Sequence, residues 1–229
     1  MKTQTTTHEE TPMSSSVADD RAPALPPVVD AEEWQAARDD LLREEKELTR
    51  ALDRLAARRR RMPMAPVDAS YTFVGPDGSS SLLDLFEGRR QLAVYQFMDN
   101  GPDAFCPGCT HLTRNVTALN TLADQGVSWA TVSDMPLEQM QRYWAEQGWD
   151  VPFYSSHGTS FSADTGAGGG FLLSLFLRDG ADVYRTYATT QRGVDRMLFV
   201  NNVLDLAPYG RQEDWEDSPD GWPQHPTYG

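Results

Sequence analysis

The chain has 229 residues, with 34 Asp and Glu against 20 Lys and Arg, for a formal net charge of −14. That balance excludes a nucleic-acid groove, which needs clustered cations opposite phosphates. Two cysteines are too few for a secreted disulfide scaffold, and the longest apolar run, residues 170–177, is too short to cross a bilayer.

What remains is one domain of ordinary size diluted by polar extensions, consistent with a mean hydropathy of −0.54. No apolar signal-type segment follows Met1-Lys2-Thr3-Gln4, so the expected location is cytoplasmic, with no membrane and no nucleic-acid partner.

Residues 1–29 are rich in Thr, Ser, Pro and Ala and read as a disordered tail. Residues 30–62 read as a long helix. Asp30 is its N-cap and Glu33 the third residue of a capping box. Trp34, Leu41, Leu48 and Leu55 recur every seven residues, with Ala37, Leu42, Ala51 and Leu52 beside them. That is one apolar stripe over about eight turns. Acidic residues crowd its start and Arg58 to Arg61 its end, matching the helix dipole. Pro63 stops it. Such a helix must lie on its own domain or on a second copy, so a homodimer through it is a partner expectation.

From residue 63 to 210 the pattern alternates. Tyr71 to Val74 reads as a strand, Gly75-Pro76-Asp77-Gly78 as a turn, and Ser81 to Phe86 as a brief helix. Gln91 to Met98 reads as a buried strand and Thr110 to Gln125 as a helix with Leu112, Val116, Leu119 and Leu122 on one face. Val127 to Ser133 is the next strand and Pro136 to Gln147 the next helix, stopped at Gly148. Val151 to Tyr154 is extended and Asp164 to Gly170 a Gly-rich loop. Phe171 to Leu177 and Val183 to Thr186 form a hairpin around Asp179-Gly180. Arg192 to Leu206 reads as a closing helix, and residues 211–229 as an acidic tail.

The chemistry-bearing residues are Cys106 and Cys109, in Phe105-Cys106-Pro107-Gly108-Cys109-Thr110. An apolar strand, a loop, a C-x-x-C at a helix start and a second parallel strand make the thioredoxin-like plan. Right-handed crossover follows from strand twist. With Cys106 at the N-cap, Pro107 occupies the first helical position, where its missing N–H costs nothing. First-turn N–H groups and the helix dipole then stabilise a Cys106 thiolate. Cys109, one turn on, is placed to resolve a mixed disulfide.

A metal site (zinc or copper) is the alternative. It would need Cys106, Cys109, His111 and His157, since His8 and His225 fall in the tails. His111 is otherwise a candidate for tuning the thiolate. Peroxiredoxins share the plan but carry Pro-x-x-x-Thr-x-x-Cys, and counted from Cys106 no Thr stands in the required place. A third reading is a partner-binding module with inert cysteines.

Several stretches resemble the domain-of-unknown-function 899 family of thioredoxin-like proteins. They are residues 33–38, 44–50, 60–63, 82–92, the Cys106-Pro107-Gly108-Cys109 motif and Tyr187-Ala188-Thr189-Thr190-Gln191-Arg192-Gly193. The resemblance spans about residues 31–210. It implies an α/β, thioredoxin-like three-layer fold with a mixed central sheet and a long N-terminal helical extension. It also implies a dithiol–disulfide oxidoreductase role; the expected substrates are protein or small-molecule disulfides and thiols, and no cofactor or resident metal is expected.

Cys106 and Cys109 are then the catalytic pair, with Pro107, Gly108, Thr110, His111 and Arg192 as auxiliary residues. One departure stands out. Thioredoxin-like proteins carry a cis-Pro facing the thiols, whereas the corresponding stretch here is Gly168-Gly169-Gly170-Phe171.

Overall fold

The computed structural model describes residues 24–224. The expected tail at residues 1–29 lies outside the described residues up to residue 23, as do His8 and His225.

An eight-stranded mixed sheet organises the chain. The strands are β1 (Ala65–Val67), β2 (Thr72–Gly75), β3 (Gly78–Ser81), β4 (Gln91–Phe97), β5 (Val127–Ser133), β6 (Phe153–Ser155), β7 (Leu172–Asp179) and β8 (Asp182–Thr189). Their spatial order is β1-β8-β7-β4-β5-β6-β2-β3. β4 pairs in parallel with β5 and antiparallel with β7, so Val94 lies between Ala130 and Ser174. The helices are α1 (Ala31–Arg59), α2 (Pro107–Asn115), α3 (Leu119–Asp124), α4 (Leu137–Gln147), α5 (Phe161–Asp164) and α6 (Phe199–Leu204). The run β4–α2–β5, then α4, then the β7–β8 hairpin against β4, is the thioredoxin-like arrangement expected from the sequence.

Side chains alternate across a strand, so β4 serves two cores. Ala93, Tyr95 and Phe97 meet Cys109 and Leu112 of α2 and Met140, Tyr143 and Trp144 of α4. Leu92 and Val94 face the opposite cluster, which includes Phe73, Phe86, Phe161 and Phe176. The Phe161 ring lies 5.0 Å from Phe73 on β2 and 6.5 Å from Phe176 on β7. Those strands stand far apart in the sheet order, so the sheet curls around Phe161. Each such ring contributes about 1.5–3 kcal/mol on burial.

α1 is capped as expected: the Asp30 carboxylate accepts from the N–H groups of Glu32 and Glu33 at 3.0 and 2.8 Å. None of its residues is buried. Its C-terminal end meets the domain through the Arg59 guanidinium, 5.1 Å from the Tyr187 ring centre.

Several elements differ from expectation. The helix expected over 110–125 is two helices, broken at Ala118, whose φ is 54°. Asn115 accounts for the break: its amide donates to the His111 carbonyl and its oxygen accepts from the Val200 N–H. Ser81 ends β3, and only Asp84–Phe86 form a single 3₁₀ turn. The closing helix is a 3₁₀ segment, Gln191–Met197, followed by the short α6. β1, read as no element, adds an edge strand beside β8.

The segment expected as an acidic tail begins with Arg211 and Glu213, which are 7% and 2% exposed. Arg211 donates to Asp205 at 2.7 Å and to Asp195 at 2.9 Å. Glu216 accepts from the N–H groups of Arg211 and Gln212. These bonds dock the chain past residue 210 on the domain. Among the described residues, no helix is long and apolar enough to cross a membrane.

Candidate active site

β4 delivers the chain to the site, and the loop after it is held by its own bridge and by α4. Asp99 and Phe105 form an isolated bridge. Gln139 of α4 donates to the Gly101 carbonyl at 2.9 Å, and Arg142 of α4 pairs with Asp103. The Phe105 ring lies parallel to Tyr143, centroids 3.6 Å apart. A loop so fixed delivers Cys106 to the start of α2 in one position.

Cys106 is the N-cap, with extended φ/ψ of −64° and 118°, and Pro107 is the first helical residue. The Cys106 sulfur accepts from the Cys109 N–H at 3.3 Å. Its pKa is lowered to about 6, first by a hydrogen bond from the Cys109 thiol, then by the N–H groups of Cys109 and Gly108, against the opposing effect of burial. His111 is not among these causes.

Cys109 is fully buried. Its sulfur accepts from the Met98 N–H at 3.5 Å. Its pKa is driven well above the ordinary cysteine value, because its proton is held by Cys106 and burial disfavours the charge; a hydrogen bond from Tyr95 works the other way. The two thiols thus differ in accessibility and in proton affinity, one partly buried and acidic, the other enclosed and protonated.

Thr110 donates to the Cys106 carbonyl at 2.9 Å and shares a 2.6 Å bond with the Tyr143 hydroxyl, tying the first turn of α2 to α4. The His111 ring instead meets Asn201 of α6 at 2.9 Å, and the His157 ring meets the Asp134 carbonyl at 2.9 Å. Among the described residues, no group of three or more His, Cys, Asp or Glu is gathered to hold a metal ion.

Arg192 faces a cavity of about 260 Å³ whose wall includes Gly108. Its guanidinium lies 5.0 Å from the Trp215 ring centre, and its Nε lies 3.5 Å from Asp195. The chain enters β7 through Gly170 and Phe171, with no cis peptide bond among the described residues, and Phe171 also lines the cavity.

Sequence reasoning missed Tyr95, Phe171, Arg211 and Trp215. Tyr95 and Phe171 stand in apolar runs, where they look like any core aromatic. Arg211 and Trp215 stand in an acidic stretch without periodicity, and no local signal marks them. It also missed a spacing. Counted from Cys109, Pro-x-x-x-Thr-x-x-Cys falls on Pro102 and Cys109, with Cys106 in the Thr position.

Several solved structures share a distant likeness with this chain. Peroxidoxin BcpB from Mycobacterium tuberculosis is 16% identical, with 60% of this chain and 94% of that chain covered and a TM-score of 0.44. A Xanthomonas campestris peroxiredoxin Q is 18% identical, with 61% and 95% covered and a TM-score of 0.43. A secreted M. tuberculosis disulfide oxidoreductase, homologous to E. coli DsbE, is 12% identical, with 58% and 96% covered and a TM-score of 0.37. No curated protein matches. The family comparison covers nearly the whole chain: residues 23–228 match the profile described as "Bacterial protein of unknown function (DUF899)", and the chain belongs to that family.

Proposed function

We propose that the protein is a thiol–disulfide oxidoreductase in which Cys106 attacks and Cys109 resolves. The observation that carries this reading is the asymmetry of the pair: a partly buried Cys106 with a pKa near 6 beside a fully buried, protonated Cys109. At neutral pH Cys106 is mostly thiolate, the nucleophilic form.

The Cys106 thiolate attacks one sulfur of a substrate disulfide, forming a mixed disulfide and expelling the other half as thiolate. Neutralising the Cys106 charge removes the main reason for Cys109 to keep its proton. Cys109 then loses that proton to solvent or to the departing thiolate and attacks the Cys106 sulfur. The second half leaves as thiolate. Two electrons pass from the protein dithiol, now an internal disulfide, to the substrate, now two thiols.

The same acidic Cys106 beside a protonated Cys109 also suits a second reading, reduction of hydroperoxides. There Cys106 takes the terminal oxygen as a sulfenic acid and releases the alcohol, and Cys109 condenses with it, expelling water.

The test is reduction of hydroxyethyl disulfide and of hydrogen peroxide by the dithiol protein, with mass spectrometry of the products. Cys106→Ser is expected to reduce neither, and Cys109→Ser to accumulate a mixed disulfide on Cys106. Full turnover by Cys106→Ser would overturn both readings. Turnover of peroxide alone would select the second.

A further inference from the structure

The cavity beside α2 is the feature that the dithiol chemistry leaves unexplained. Its wall at the active site is Gly108, and a Cβ there would sit 3.9 Å from the Cys106 sulfur, so cavity and sulfur flank the same residue. Much of its lining is apolar: Tyr95, Leu112, Phe171, Val194 and Trp215. Of the two arginines in its lining, Arg211 is buried and held by Asp195 and Asp205, whereas Arg192 is exposed. Its neighbour Asp195 is already engaged by Arg211 at 2.9 Å and stands 3.5 Å from Arg192. The Trp215 face orients the Arg192 guanidinium without consuming its N–H groups.

We propose that this cavity is the subsite for the organic half of a small-molecule disulfide: one aromatic or branched aliphatic group ending in a carboxylate that pairs with Arg192. The proposal rests on the dithiol reading above and adds its substrate class. The volume suits one ring with a short chain and is below the range of larger ligand pockets. The segment bearing Arg211 and Trp215 contributes to the lining, and so small a volume favours one small group over a docked protein loop. The sulfur of the seated half would lie over Gly108, beside the Cys106 thiolate.

The experiment uses reduced full-length protein and a sulfur-free probe, 3-phenylpropanoate, with the neutral 3-phenylpropanol as comparison. Binding is read by fluorescence titration and by protection of Cys106 from iodoacetamide. The acid is expected to bind about fivefold more tightly than the alcohol, as one partly exposed charge pair allows, and to slow alkylation. Arg192→Gln should reduce the acid to the alcohol's affinity and leave the alcohol unchanged. Gly108→Ala, which keeps the helix, should weaken both. Equal binding of the two probes by wild type, or no binding of either, overturns the proposal. Because neither probe is reducible, a failed redox reading would leave these results intact and is distinguished by Cys106→Ser activity.

A separate observation concerns α1. Trp34, Leu41, Leu48 and Leu55 are 58%, 52%, 60% and 39% exposed, an apolar stripe that the described residues leave largely uncovered. Charge is split along the helix: residues 30–44 hold six carboxylates against two arginines, and residues 45–61 hold seven cations against three carboxylates. We infer that the occupant is the α1 of a second copy, lying antiparallel, since only that direction sets the acidic half of each helix against the basic half of the other. Sedimentation of the full chain should show a dimer that weakens with sodium chloride. Leu41→Glu with Leu48→Glu should give a monomer of unchanged helix content by circular dichroism. A monomeric wild type, or a dimer strengthened by sodium chloride, overturns the inference.

Discussion

The backbone N–H of Cys109 donates to the sulfur of Cys106 across 3.3 Å, and the Cys109 thiol donates to the same atom. One residue therefore both acidifies the nucleophile and stands ready to displace what binds to it. The helix start makes this possible, because the residue three places after the N-cap is the one whose N–H turns back to the cap side chain.

Alkylation of reduced protein by iodoacetamide should rise with pH through an inflection near 6, compared with about 8.5 for a free cysteine. Below the inflection the sulfur is protonated and slow. Cys109→Ala removes the largest lowering influence and should move the inflection upward, whereas Cys109→Ser keeps a hydroxyl donor and should move it less. An unmoved inflection in Cys109→Ala would refute this electrostatic account.

The same shift links redox state to stability. A thiol more acidic folded than unfolded stabilises the fold above the unfolded pKa, and the benefit disappears as pH falls through the folded pKa. Urea midpoints of reduced wild type and Cys106→Ala should therefore converge as pH drops from about 8.5 to about 6. Divergence over that range would contradict the lowered pKa.

Two glycines near the site should respond oppositely to alanine. At Gly108 a Cβ would make ordinary van der Waals contact with the Cys106 sulfur at 3.9 Å, and removing a helical glycine should stabilise by roughly 0.5–1 kcal/mol. At Gly193 a Cβ would overlap Thr189 Oγ1, and Gly193→Ala should destabilise by about 1–3 kcal/mol. Thermal midpoints of the two variants check the contrast.

Arg211→Ala should cost about 1–3 kcal/mol, since it removes the buried cation from between three partly exposed carboxylates and takes its hydrogen bonds with it. Asp195, Asp205 and Glu216 all lie within 4 Å of the guanidinium. Limited proteolysis should then open the chain after residue 210, and the cavity should lose its Trp215 wall. Arg211→Ala with wild-type protease resistance would show that other contacts hold the segment.

Tyr143→Phe deletes the 2.6 Å bond to Thr110 but keeps the ring stacked on Phe105. The expected cost is about 1 kcal/mol, measured by urea unfolding, with the Cys106 inflection unchanged because Tyr143 touches neither sulfur in the bonds that set it.

Much of the site was legible because its signals are local. The strand Val127–Ser133 reads directly from its apolar run, Gly148 ends α4 in the left-handed region, and Pro107 after Cys106 marks a helix start. The break at Ala118 was not legible, because Asn115 is bonded by Val200, 85 residues away in sequence. His111 looked like a thiolate partner by proximity in sequence, but its Nε2 meets Asn201, 90 residues on.

By itself, the sequence determined the α1 stripe, the position of the two cysteines at a helix start, and the alternation that builds a thioredoxin-like sheet. Periodicity, capping and proline act over one or two turns and leave a mark in neighbouring residues. Only the tertiary structure decided that Cys109 is buried, that Arg192 and Trp215 meet over a cavity beside Gly108, and that Arg211 anchors the segment beyond residue 210. Those arrangements depend on burial and ion pairing between residues far apart in the chain, and such contacts form only when the sheet brings their elements together.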